Sequence, residues 1–288
     1  MKINLDKKEI WDIYPEVYHY TKFSTALLII NSGILRATRF DLLNDTQEIN
    51  YSKEIIVPKL LERFKGATTE DARHDLDIFY KAMGNDLYII SFCGKDSKLD
   101  HTHHDNGLLS MWRSYGTDGG CAITFKTKNI YDQTIKYRHS IEISSALVMD
   151  EAIYEGHNDS DSEYRNRLDR FANNALDLLP NPKDIEPQRR RELYEDFLCL
   201  MICSKHPAFF EEREVRIGLC FNKGIQEIKN PSTPPPDRHE IPFSPAQDIS
   251  RIIIGPHSDQ KQRFDFLKSY FDKYDLNIDI TMSEIPLR

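Results

Sequence analysis

No CxxC pair occurs among the five cysteines Cys93, Cys121, Cys199, Cys203 and Cys220, and their number is odd. Zinc and disulfide frameworks are therefore not suggested by spacing. Cys199 and Cys203, one helical turn apart in an apolar run, read as core thiols in a reducing cytoplasm. The opening residues MKINLDKKEIWDIYPE lack the apolar stretch of a signal peptide, and no run approaches the roughly 18 apolar residues of a membrane span. A soluble cytoplasmic protein with no membrane partner is expected. Basic charge is also short, with 38 Lys and Arg against 46 Asp and Glu and a formal net charge of -8. That argues against a broad electrostatic grip on nucleic acid and leaves room for a local basic groove. Glycine-rich phosphate loops of the Rossmann or P-loop kind are missing, which weighs against a dehydrogenase or an NTPase.

What is present is enough apolar residue, 40% of 288, to bury a substantial core, and one domain over 1–288 with insertions is expected. EVYHYT (16–21) has strand-forming residues, and period two puts Val17, His19 and Thr21 on one face with Tyr18 and Tyr20 on the other. STALLIINSG follows as a short helix, with Ser24 as its cap and Gly33 as its left-handed end, and ILRATRF returns as a strand. Helices are expected from Asp45, near Pro58 and over 70–84. DLYIISFC and GGCAITFK read as strands flanking the short helix LLSMWRSYG. Residues 157–205 carry two amphipathic helices joined by PNPKDIEP, an inserted helical pair. A strand at 213–221, a strand RIIIG, a helix from about Ser258 to Tyr274 and a strand LNIDITM close the chain.

Chemistry concentrates in EEREVR. On a strand, Glu212, Glu214 and Arg216 share one face while Val215, Ile217, Leu219 and Phe221 form the core face. The plain structural reading is a half-exposed strand with a surface Glu/Arg pair. The functional reading is that two carboxylates about 6.5 to 7 Å apart at Cα work on one substrate, one holding a sugar hydroxyl and the other taking a proton. Arg36 and Arg39 could bind a pyrophosphate in bidentate fashion or be solvated strand ends. HTHHD (101–105) has zinc-ligand residue types without the H-x3-H spacing of a rigid helix face, and reads as a surface loop, a lid or an acceptor-recognition loop.

HYT at 19–21, LND at 43–45, MWRSYG at 111–116, EREVR at 212–216 (ExExR) and SEIPLR at 283–288 together resemble a large uncharacterised bacterial family of domains of unknown function, over nearly the whole chain. More remotely, the chain resembles the ADP-ribosyltransferase superfamily in its nucleic-acid-targeting branches. His19 in YHYT, followed by a helix and SGILRAT, is similar to their opening, and Glu212 with Glu214 to their closing motif. The resemblance implies an α/β (α+β) fold with a split mixed β-sheet core and flanking helices. It also implies a mono-ADP-ribosyltransferase with NAD+ as co-substrate, no metal, and nucleic acid or protein as acceptor. Such a protein would act as a bacterial toxin or antiphage effector, with an antitoxin as a possible partner.

The same resemblance implies that Glu214 holds the nicotinamide-ribose 2′-hydroxyl and stabilises positive charge at the anomeric carbon, while Glu212 orients or deprotonates the acceptor. His19 would hold the adenosine ribose or diphosphate side, with Tyr20 and Thr21 shaping the same pocket. The middle of the pattern departs, because no Ser-Thr-Ser occurs there. Its candidates are Ser91 and Tyr115, and Trp112 or Tyr115 could stack on nicotinamide, though each aromatic also fits a core position. Two other functions fit: a non-catalytic nucleotide or ADP-ribose sensor on the same fold, and a metal-dependent hydrolase centred on the histidine loop.

Overall fold

The computed structural model describes residues 9–43, 87–94, 105–116, 119–141, 145–154, 187–221 and 236–286, with isolated helical positions at 54, 58, 62, 165, 166 and 169. The helices expected from Asp45, near Pro58 and over 70–84, most of the first helix of the expected pair, and His101, His103 and His104 lie outside the described residues.

The chain opens with α1 (Ile10–Ile13), β1 (Glu16–Thr21), α2 (Phe23–Ser32) and β2 (Ile34–Arg39). Gly33 ends α2 in the left-handed region at φ 61°, where an added Cβ would sit 2.7 Å from the Phe243 carbonyl oxygen. The expected Ser24 cap is not used. Lys22 occupies the cap position without a side-chain hydrogen bond, two residues earlier.

β3 (Leu87–Gly94), α3 (Leu109–Tyr115), β4 (Cys121–Lys126), α4 (Thr127–Ser140), β5 (Ser145–Glu151) and β6 (Ile153–Tyr154) follow. Next come α5 (Pro187–Cys203), β7 (Ser204–Lys205), a 3₁₀ turn over Pro207–Glu212 and β8 (Glu214–Phe221). The chain closes with β9 (Arg238–Pro242), α6 (Pro245–Asp248), β10 (Ile249–Ile254), α7 (Gln260–Tyr274) and β11 (Asp279–Met282).

Nine of these strands form one mixed sheet, ordered β11-β10-β4-β1-β3-β2-β9, with β8 pairing β3 and β5 pairing β8. β10 and β11 run parallel, and β6 and β7 form a separate parallel pair. The expected mixed α/β (α+β) architecture is what the chain forms.

The centre of the sheet determines where a site can lie. β8 follows one edge of β3 from Leu87 to Cys93. The opposite edge is shared, with β1 paired at Cys93 and Gly94 and β2 paired at Tyr88 and Ile89. Between those short ladders, Ile90, Ser91 and Phe92 have no strand partner on that edge among the described residues. The sheet therefore opens at its middle.

Its two faces are covered differently. Val17, Ile90, Phe92, Ile123, Phe125 and Val215 belong to the main core. Tyr18, Tyr20, Cys93 and Ala122 pack with Met111 and Trp112 of α3 on the other face. The alternation read in EVYHYT holds. Burying these side chains contributes about 25 cal/mol per Å² of apolar surface removed from water.

α5 is the second helix of the expected pair. From Phe197 to Cys203 every residue is buried, so the end of this helix is core and not an amphipathic outlier. Gly218 of β8 accommodates it, since a Cβ there would lie 2.5 Å from Ile202 Cδ1. For the same reason β8 is not half-exposed: all eight of its residues are buried, the charged ones included.

Candidate functional site

Over the opening in the sheet lies a cavity of about 240 Å³. Antiparallel register brings its floor together, because paired residues point to the same face. Cys93 lies opposite both Tyr18 and Glu214, Ser91 opposite Arg216, and Thr38 opposite Ile89. Ser91 is exposed in a strand that is buried from Leu87 to Cys93 on either side of it. Its side chain lines the cavity.

His19 closes the opening from β1. Its Nδ1 lies 3.3 Å from the Ser91 carbonyl oxygen, and its ring packs edge-on against Phe92 at 5.9 Å. Burial lowers its pKa and the bond to Ser91 only partly opposes this, which favours the neutral imidazole.

The acidic wall is built differently from the strand reading. β8 begins at Glu214, Arg213 is left-handed at φ 43°, and Glu212 ends the preceding 3₁₀ turn. Glu212 and Glu214 therefore do not share a strand face, and the expectation that they alternate along one is overturned by that turn. They converge through a third residue. Lys205 Nζ donates to Glu212 Oε2 and to Glu214 Oε2, each at 2.6 Å. Arg216 Nη2 donates to Glu214 Oε2 at 2.8 Å, and its Nη1 donates to the Ile202 carbonyl at 2.6 Å, tying the end of α5 to the site. Burial pushes the Glu214 carboxyl up, but the Arg216 and Lys205 charges and hydrogen bonds outweigh it and bring it down to about 2.

Of the residues singled out in the sequence, His19, Tyr20, Arg36, Ser91, Tyr115, Glu212, Glu214 and Arg216 line this cavity. Tyr20 is buried and accepts a hydrogen bond from the Leu108 amide at 2.9 Å. Tyr115 stands 46% exposed at the end of α3, so it can move against a ligand where a core ring could not. Arg36 pairs with Glu240 across the β2–β9 edge with both side chains more than half exposed. Arg39 is held by Asp41 and Asp237.

Arg39 is not in the cavity lining, and neither are Thr21 and Trp112. Thr21 ends β1 opposite Cys121, beyond the opening. Trp112 is a core residue: it is 3% exposed, its Nε1 donates to the Asn106 carbonyl at 2.9 Å, and its ring meets Tyr20 edge-on at 4.9 Å. Trp112→Phe should lower stability by about 1 to 2 kcal/mol through the lost hydrogen bond and volume. Ligand affinity should stay unchanged in an equilibrium titration beside chemical denaturation.

Sequence reasoning missed Lys205, Thr38 and Cys93. Lys205 stands beside His206 before an aromatic turn, and nothing in its own neighbourhood in the chain marks it. Only the fold brings it between the two acids.

Among the described residues no group of three or more His, Cys, Asp and Glu could hold a metal, and Asp105 pairs with Arg251 at 3.1 Å. Among them, too, no helix is long and apolar enough to cross a membrane. All five cysteines are buried thiols.

Residues 111–217 match the model of a family described as a protein of unknown function, DUF2971. The expected kinship with a family of domains of unknown function is met over that span. It contains Tyr115, Lys205, Glu212, Glu214 and Arg216 and leaves His19 outside. No curated protein matches the chain.

Proposed function

We propose that the protein is an NAD+-dependent mono-ADP-ribosyltransferase whose acceptor is nucleic acid or protein, acting in the cytoplasm as a toxin or antiphage effector. One observation carries the reading. His19 and the Glu212–Glu214 pair, far apart in the chain, line one cavity where the central sheet opens. A cavity of about 240 Å³ lies just below the usual range of ligand pockets, so only one end of a dinucleotide, a ribose with its base, is assigned to it.

In this reaction the bond between the nicotinamide nitrogen and the ribose breaks, and its electron pair leaves with the pyridine, which becomes neutral. The acceptor's nucleophile forms the new bond to the anomeric carbon and loses its proton to Glu212. Glu214 holds the ribose 2′-hydroxyl through Oε1, the oxygen that takes no hydrogen bond among the described residues. Its negative charge lies near the carbon that becomes cationic. No strong general acid is needed, so the protein supplies placement and charge. An acceptor base in nucleic acid would have to be single-stranded or flipped out.

A second reading, a nucleotide or ADP-ribose sensor without turnover, is favoured by the two cations already on Glu214, which reduce its field at a bound ribose.

Labelled NAD+ incubated with RNA, DNA and protein pools distinguishes the two. Transfer of label to one pool supports the transferase. Saturable binding without nicotinamide release supports the sensor.

A further inference from the structure

We propose that Lys205 is a positioning residue that keeps Glu212 and Glu214 together as a pair of ionised carboxylates lining the cavity. The role in turnover rests on the transferase reading above, whereas the effect on the carboxylates does not.

The ammonium is 5% exposed and bonds both acids at 2.6 Å, so one buried cation bridges two anions. Two carboxylates held this close repel each other, and without a cation between them one is driven to take a proton. A buried ammonium is equally costly without partners. Its place is fixed from several sides. The β6–β7 bridge sets Lys205 beside Tyr154, whose hydroxyl accepts the Glu214 amide at 3.1 Å. The Phe209 ring lies 4.8 Å from Nζ.

Lysine fits here as a compact charge with three donors, able to bridge acids that approach from a turn and from a strand. Arg216 cannot replace it, since its two terminal nitrogens are taken by Glu214 and the Ile202 carbonyl. Among the described residues, the other titratable groups around Glu214 are Glu212, Cys93 on β3, Tyr115 on α3 and Tyr154 on β6, and burial raises the last three, which favours their neutral forms. Among the described residues, Lys205 and Arg216 are therefore the cations that hold the pair ionised.

The test is a carboxyl titration by NMR on protein labelled with ¹³C at glutamate, with Glu214 assigned by its loss in Glu214→Gln. In the parent the Glu214 signal should stay ionised throughout the acid range in which the protein remains folded. In Lys205→Met it should take up its proton about 2 pH units higher. Lys205→Arg should restore the parent titration, and Lys205→Met/Glu212→Gln should recover part of the shift by removing the like charge. Lys205→Gln, which keeps a donor of similar length, repeats the test if the Met variant does not fold.

The pH profile of NAD+ turnover should gain an acid limb in Lys205→Met and lose it in Lys205→Arg. A Glu214 signal that titrates alike in the parent and Lys205→Met overturns the proposal. The titration needs no substrate, so a parent protein that never consumes NAD+ removes the transferase reading and leaves the role of Lys205 standing.

Discussion

Glu214→Gln is expected to lower nicotinamide release from NAD+ by on the order of a thousandfold while NAD+ still binds. Glutamine keeps the shape and one acceptor oxygen but carries no charge, and the charge is what differs between ground state and transition state at the anomeric carbon. A parallel fall in affinity and turnover would instead mark Glu214 as a binding group. The variant also has a signature in stability. Glu214 has a folded pKa of about 2 against an ordinary 4.5, so the unfolded chain takes up this proton first as the pH drops. Its contribution is complete above about pH 4.5 and is lost as the pH falls through about 2. That contribution is on the order of 3 kcal/mol. Denaturation of the parent across that window should show the loss, and Glu214→Gln should show a flatter profile.

The second large effect is structural. Arg216→Met should destabilise the fold by about 3 to 5 kcal/mol, because it leaves Glu214 buried with one cation fewer and the Ile202 carbonyl without its donor. In a thermal melt this corresponds to a fall on the order of 10 °C. Arg36→Met should stay within about 0.5 kcal/mol of the parent, because the Arg36–Glu240 pair is exposed to solvent on both sides. Equal losses from the two variants would mean that the buried cluster is no stronger than a surface pair.

Much of the sheet was legible from local pattern. β3, β4 and β10 are short segments rich in apolar, β-branched and aromatic residues, and the alternation in β1 correctly separates Val17 from Tyr18 and Tyr20. Other elements were not. β9, Arg238–Pro242, is an edge strand with three charged or titratable residues and a proline, so its composition argues for a loop and only its pairing with β2 makes it a strand. α4 carries few large apolar residues, and its buried positions include Thr127 and Thr134, which have no hydrophobic signature.

The site was legible in part for a related reason. His19, Ser91 and Glu214 stood out because each is a polar residue in a strand-forming run. Lys205 had no such contrast, and Trp112 looked like a cofactor wall because a sequence does not say whether an indole N–H points at a ligand or at a backbone carbonyl. The left-handed Arg213 is what separated the acids from the simple strand reading, and a non-glycine residue gives no local warning of that conformation.

The most direct test of the account is a structure determined with NAD+ bound. The account predicts the nicotinamide ribose in the cavity at the opening of the sheet, its 2′-hydroxyl within hydrogen-bond distance of Glu214 and the rest of the dinucleotide leading past His19. A dinucleotide seated elsewhere, or a cavity that stays empty at saturating NAD+, would contradict it.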